Sequence, residues 1–210
     1  MTGAELLALL GEEDPRPAVA ALAASGALAR TLGAAADLDR FAALVEIETE
    51  QLFAWDPLLR LAALLPNQAA AVAVAAERLG LADPDRRRLL AALTDPAVRV
   101  VSFLSPRALR RAIYRIGAQA FRDRVQLAWA AAPRSAATPQ WRMLFVYPET
   151  WTPPPFPITD DEIRAAGHSA AALLPEIRHE VEEWWIDLDF TDDKMAAVER
   201  LKAVVQGLAY

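Results

Sequence analysis

At 210 residues and a net charge of −6, the chain is long enough for one or two cores and too acidic to read as a generic nucleic-acid binder. It has no cysteine, which excludes disulfides, thiolate nucleophiles and cysteine-ligated metals. Its most apolar run, Ala69 to Ala76, is too short to span a bilayer, and no basic-then-apolar leader with a cleavage site opens the chain, so no membrane partner and a cytoplasmic setting are expected.

Apolar residues recur at helical spacing throughout. Leu6, Leu7 and Leu10 predict a first helix, and Pro17 and Gly26 bracket a second over 18–24. Asp37 is placed to cap a third, with Phe41, Leu44, Val45 and Glu48 along one stripe. Asp56-Pro57 opens a helix over 58–65, and Pro66 or Asn67 separates it from an alanine-rich helix that Gly80 stops after Leu79. Asp83-Pro84 and Asp95-Pro96 each read as a helix start. Ser105-Pro106 is a capping hydroxyl followed by proline at the first helical position. Leu109, Ala112, Ile113 and Ile116 then form a buried stripe that Gly117 ends, before a further helix over 118–131.

Pro133 to Pro139 is a polar break, and Trp141 to Tyr147 reads as helix until Pro148 ends or kinks it. Pro153-Pro154-Pro155-Phe156-Pro157 fits neither a helix nor a central strand, because proline lacks the N–H and biases the preceding residue to extended backbone. Thr159 followed by Asp160, Asp161 and Glu162 marks a helix start, with a capping hydroxyl and acids at the positive end of the dipole. Tail helices are expected near 160–166, 170–187 and 192–206, with Pro175 in the first turn of the long one or kinking it. Trp184 and Trp185 are adjacent, so they face different sides of that helix and at least one packs against another element. No alternating strand pattern and no fixed-period repeat appear. The expected fold is all-α, an irregular multi-helical array: a helical domain over 1–132, a linker and connecting helix over 133–157, and a tail domain over 158–210.

Charge is distributed unevenly. Residues 1–85 hold 5 basic and 13 acidic side chains, residues 86–144 hold 12 and 2, and residues 145–210 hold 5 and 13. A basic belt between acidic ends attracts a polyanion locally while the whole chain stays acidic.

Glu183-Trp184-Trp185-Ile186 and Asp189-Phe190, entered through the proline-rich segment, resemble the tail of the bacterial class II tRNA nucleotidyltransferase (CCA-adding) and poly(A) polymerase family. The resemblance covers most of the chain. Gly3-Ala4-Glu5-Leu6-Leu7 to Ser25-Gly26-Ala27-Leu28 resembles that family's neck. Trp55-Asp56-Pro57-Leu58-Leu59-Arg60, Leu109 to Gly117 and Phe121-Arg122-Asp123-Arg124 resemble its body. The resemblance implies that catalysis, with Mg2+ and CTP or ATP, belongs to a β-containing head with a Gly-Ser loop and paired carboxylates. Nothing in this chain matches that head. The expectation is a fragment of a longer enzyme or a headless gene product, with no cofactor and no catalysis of its own. The resemblance further implies that body and tail hold the acceptor stem and elbow of tRNA, or another structured RNA, by shape and phosphate contact. The alternative is a headless relative serving as a helical protein-interaction module.

Three Asp-x-Asp pairs occur, at Asp37 and Asp39, Asp83 and Asp85, and Asp187 and Asp189. All fall at predicted helix ends rather than on a strand that would aim both carboxylates one way. His168 and His179 lack metal-ligand spacing and read as solvated. The functional candidates are arginines, which grip phosphate bidentately. Arg107, Arg111 and Arg115 recur at i, i+4 and i+8 opposite the apolar stripe, with Arg110 alongside; Arg122 and Arg124 follow, and Arg86 and Arg87 precede. The tail departs from the family's pattern. Gly167-His168-Ser169-Ala170-Ala171-Ala172-Leu173-Leu174-Pro175 lacks the usual Gly-Pro, and Asp160 stands where the family often has glycine. With Glu180, Glu182 and Glu183 beside them, Trp184 and Trp185 read as core and the whole signature as a clasp of the tail.

Overall fold

The computed structural model describes residues 1–94, 98–133, 137–166, 172–191 and 193–208. These form twelve α-helices and one short 3-10 turn, with no strand among the described residues, so the fold is all-α. The helix start predicted at Asp95-Pro96 and the loop residues 167–171, including His168, lie outside the described residues. Among the described residues no helix is long and apolar enough to cross a membrane. The chain divides into two compact units, one of residues 1–105 with 112–150 and the other of residues 106–111 with 151–210.

In the first unit, α1 (Gly3–Leu10) starts at a capping box. The Glu5 N–H donates to Thr2 Oγ1 at 3.2 Å and the Thr2 N–H donates to the Glu5 carboxylate at 2.7 Å. α2 (Arg16–Ala24) and α3 (Ala27–Leu32) follow, then α4 (Leu38–Gln51), whose Asp37 cap accepts from the Arg40 N–H at 3.0 Å. Asp56 caps α5 (Pro57–Leu64), accepting from the N–H groups of Leu58 and Leu59 at 3.0 and 3.1 Å. Residues Leu58 to Leu64 are buried all round, which is what an almost uniformly apolar helix requires. α5 packs against α1, α4 and α7, and is the centre of the unit. α6 (Ala69–Leu79) ends at Gly80 in the left-handed region, and α7 (Asp83–Leu93) follows. Leu6, Leu10, Leu28, Leu32, Leu44, Leu61, Leu64 and Leu65 are fully enclosed in this core. Each contributes about 1.5–3 kcal/mol by burial.

α8 (Pro106–Ala131) is interrupted at Gly117, where φ 80° and ψ 161° break the helical path as the sequence predicted. The part after the break carries Phe121, Val125 and Leu127 into the interior. α9 (Thr138–Val146) docks through Trp141, whose ring lies parallel to that of Trp129 (centroids 6.3 Å apart, 9° between planes), and through buried Leu144. Pro148 converts the end of α9 into a 3-10 turn over Tyr147–Glu149. The described part of the 133–139 break therefore lies inside the first unit, and the second resumes at Trp151 with the proline-rich segment.

The second unit contains α10 (Asp160–Ala166), α11 (Leu174–Asp187) and α12 (Lys194–Leu208) around Ile158, Ile163, Ile177, Val181, Ala197, Leu201 and Val204. Thr159 and Glu162 form a second capping box at the start of α10. The Lys194 ammonium, joined by the Thr159 donors, holds the Glu162 carboxyl down at about 2. Trp184 is half-buried against this core and Trp185 is buried, so at least one of the adjacent indoles packs against another element, as expected.

Candidate nucleic-acid interface

The eight arginines singled out from the sequence divide into three environments. The first is the start of α8, which belongs to the second unit. There Arg107 Nη2 lies 3.3 Å from Asp187 Oδ1, and Arg111 Nη1 donates to the same oxygen at 2.7 Å. The other terminal nitrogen of Arg111 pairs with Glu183. Arg110 grips Asp189 with two nitrogens, Nε at 2.8 Å from Oδ1 and Nη2 on Oδ2, the fork geometry that favours arginine over lysine.

The turn after α11 is shaped for this contact. Asp189 and Phe190 take φ of 57° and 63°, two consecutive non-glycine residues in the left-handed region. Phe190 is fixed edge-on against Trp185 (centroids 5.0 Å, 89°) and tilted against Trp151 (5.4 Å). Phe156, from the proline-rich entry, meets the other side of the cluster through Trp185 at 5.6 Å and lies under the Arg178 guanidinium at 5.2 Å. The Pro-Phe-Pro and Trp-Trp-Ile signature is thus an aromatic clasp whose far end is an arginine–carboxylate ladder.

The second environment is interior. Arg124 is 7% exposed and donates to Ala91 O, in the last turn of α7, at 2.7 and 2.5 Å, and to Val98 O, beyond that helix, at 2.9 Å. A cation there complements the negative end of the helix dipole. Arg88, one residue from the candidates, bridges Asp123 (2.8 Å) and Asp56 (2.5 Å), and the Asp123 contact raises its pKa above the usual range against the opposing effect of burial. Two further interior arginines carried no functional signal in the sequence. Arg40 donates to Ala63 O at 2.9 Å, Ala62 O at 3.1 Å and Leu65 O, closing the end of α5, and Arg60 pairs with Glu48.

The third environment is the surface of the first unit. Arg87 and Arg115 are exposed, as is Arg86, which pairs with Asp83 at 3.1 Å one turn earlier in α7. Arg122 is half-buried and reaches Glu149 and Phe145 O only at 3.4 Å. Arg99 and Arg142, counted in the basic belt without being singled out, are exposed as well. Arg107, Arg110 and Arg111 belong to the second unit, and Arg86, Arg87, Arg115, Arg122 and Arg124 to the first. No protein-family model matches the sequence, and no curated protein matches it significantly.

Proposed function

We propose that the chain is a non-catalytic RNA-binding module that holds the acceptor stem and elbow of tRNA, or another structured RNA, through the surface arginines of its first unit. The reading places it in the cytoplasm, and it draws on the resemblance to the body and tail of class II tRNA nucleotidyltransferases. The observation that carries it is the residue 86–144 belt. After its interior and ion-paired arginines are set aside, Arg87, Arg99 and Arg142 still stand exposed on a segment whose only acids are Asp95 and Asp123. Phosphate and shape contact of this kind suits a partner whose base sequence varies.

Filter binding to bulk tRNA tests the reading. Affinity should fall steeply as salt rises, with a log–log slope of roughly −0.7 to −0.9 for each phosphate neutralised. Arg87→Glu/Arg99→Glu/Arg142→Glu should abolish binding while leaving the helical content intact. Binding that ignores salt, or that survives this triple change, would remove the proposal.

A protein-interaction role has a different observation behind it. In the first unit, a pocket of about 210 Å³ is lined by Trp129, Trp141, Glu46 and Glu50. Two indoles beside two carboxylates repel phosphate and suit a cationic side chain. A tryptophan fluorescence change on titration with an arginine-rich peptide, in a chain with no tRNA affinity, would favour this second reading.

A further inference from the structure

The carboxylates on Arg107, Arg110 and Arg111 occupy the guanidinium forks that a phosphate also takes. Asp187 is shared by Arg107 and Arg111, one helical turn apart, Glu183 takes the second nitrogen of Arg111, and Asp189 is bidentate on Arg110. The backbone that presents Asp189 is bent at two consecutive left-handed residues, an unfavourable conformation that persists only where its surroundings enforce it. Here the enforcement is Phe190 between Trp151 and Trp185. Yet the outer part of the ladder is open to solvent, while Arg110, Glu183 and Asp189 are only about a quarter exposed. The side chains of Arg107 and Arg111 are 56% and 42% exposed and that of Asp187 is 54% exposed, so these pairs are individually weak and screened by salt. The turn aims Asp189, and the end of α11 aims Glu183 and Asp187, at a row of arginines whose outer members are accessible, and a polyanion of higher charge density competes for the same forks.

We propose that Glu183, Asp187 and Asp189 are an intramolecular mimic of a nucleic-acid backbone, covering a second RNA contact, the Arg107–Arg110–Arg111 row, until RNA displaces them. The proposal rests on the RNA-binding reading above and adds autoinhibition to it.

The test compares three forms of the full chain in tRNA filter binding across a salt series: the parent, Glu183→Gln/Asp187→Asn/Asp189→Asn, and a charge-matched control, Glu12→Gln/Glu13→Gln/Glu176→Gln. The clasp variant should bind about tenfold more tightly than the control, with a log–log salt slope steeper by about 2, as expected for newly recruited phosphates. A clasp variant that matches the control in affinity and slope overturns the proposal. Should that variant fail to fold, hydrogen exchange of the parent decides: amides of residues 187–190 should exchange faster when tRNA is bound, and unchanged exchange in the bound state overturns the proposal. tRNA binding without either effect removes only the autoinhibition, whereas absence of tRNA binding in every folded form removes the RNA reading with it.

Discussion

Arg60 and Glu48 form an ion pair at 2.6 Å in which neither side chain is exposed. Arg60 Nη1 also donates to the carbonyls of Leu10 and Glu12 at 2.7 and 2.6 Å, so the pair ties α4 and α5 to the end of α1. Glu48 Oε1 and Arg60 Nη2 are buried without a protein partner. Removing one charge strands the other: Glu48→Leu or Arg60→Met should each cost about 3–5 kcal/mol, and the double change much less than their sum. Urea denaturation of the three variants checks the non-additivity.

The same pair gives stability a pH dependence. Burial pushes the Glu48 carboxyl up to about 7, against the pull of Arg60. Because this lies above the unfolded value of 4.5, the folded chain holds an extra proton between the two. The contribution of Glu48 is full below about pH 4.5, declines as pH rises and is lost above about pH 7. Denaturation midpoints measured across that window should fall with rising pH, and Glu48→Gln should flatten the slope.

Neighbouring arginines on α7 should separate stability from binding. Arg88→Met leaves Asp123, which is 1% exposed, without its cation and should cost about 2–4 kcal/mol. Arg87→Glu touches nothing in the interior and should leave stability within about 0.5 kcal/mol. On the RNA reading it should weaken tRNA binding by roughly threefold or more. Unchanged tRNA affinity in Arg87→Glu would take the start of α7 out of the proposed surface.

Backbone conformation alone is tested at two helix ends. Leu52 caps α4 at φ 56° with 91% of its surface exposed. Gly80 caps α6 at φ 61° with no atom within 4 Å of where a Cβ would stand. Leu52→Gly should stabilise the chain by about 0.5–1 kcal/mol and Gly80→Ala should destabilise it by about 1 kcal/mol. Opposite shifts in thermal midpoint are the expected readout.

Close approach is tested at Gly3, where a Cβ would lie 2.0 Å from the Leu79 carbonyl oxygen. Gly3→Ala must move α1 away from α6, at roughly 1–3 kcal/mol. Thr2→Ala, which removes only the adjacent cap, should cost about 1 kcal/mol. Denaturation midpoints should rank the two changes in that order.

Helices were legible where a capping side chain or a proline punctuated an apolar stripe, as at Asp37, Asp56 and Thr159. α3 was not, because its six residues sit between Gly26 and Gly33 and carry too few apolar positions to show a period. The arginines show a different limit. Block sums of charge count neighbours along the chain, whereas Arg111 meets Asp187 across 76 residues. Sequence spacing put Arg107, Arg111 and Arg115 on one face of a helix but carried no information about what would cover it. The Glu48–Arg60 pair did leave a trace. Glu48 fell on the stripe with Phe41, Leu44 and Val45, and Arg60 interrupted an otherwise apolar helix. Two opposite charges on two core-facing stripes identify each other once both elements are placed in the interior.

Because residues 106–111 belong to the same unit as 151–210, the second unit is not one uninterrupted stretch of polypeptide. A cut at residue 150 would leave three helices and an aromatic cluster without the row of cations that faces their acids. A piece that carries the whole second unit must include the first turns of α8, some forty residues before Trp151.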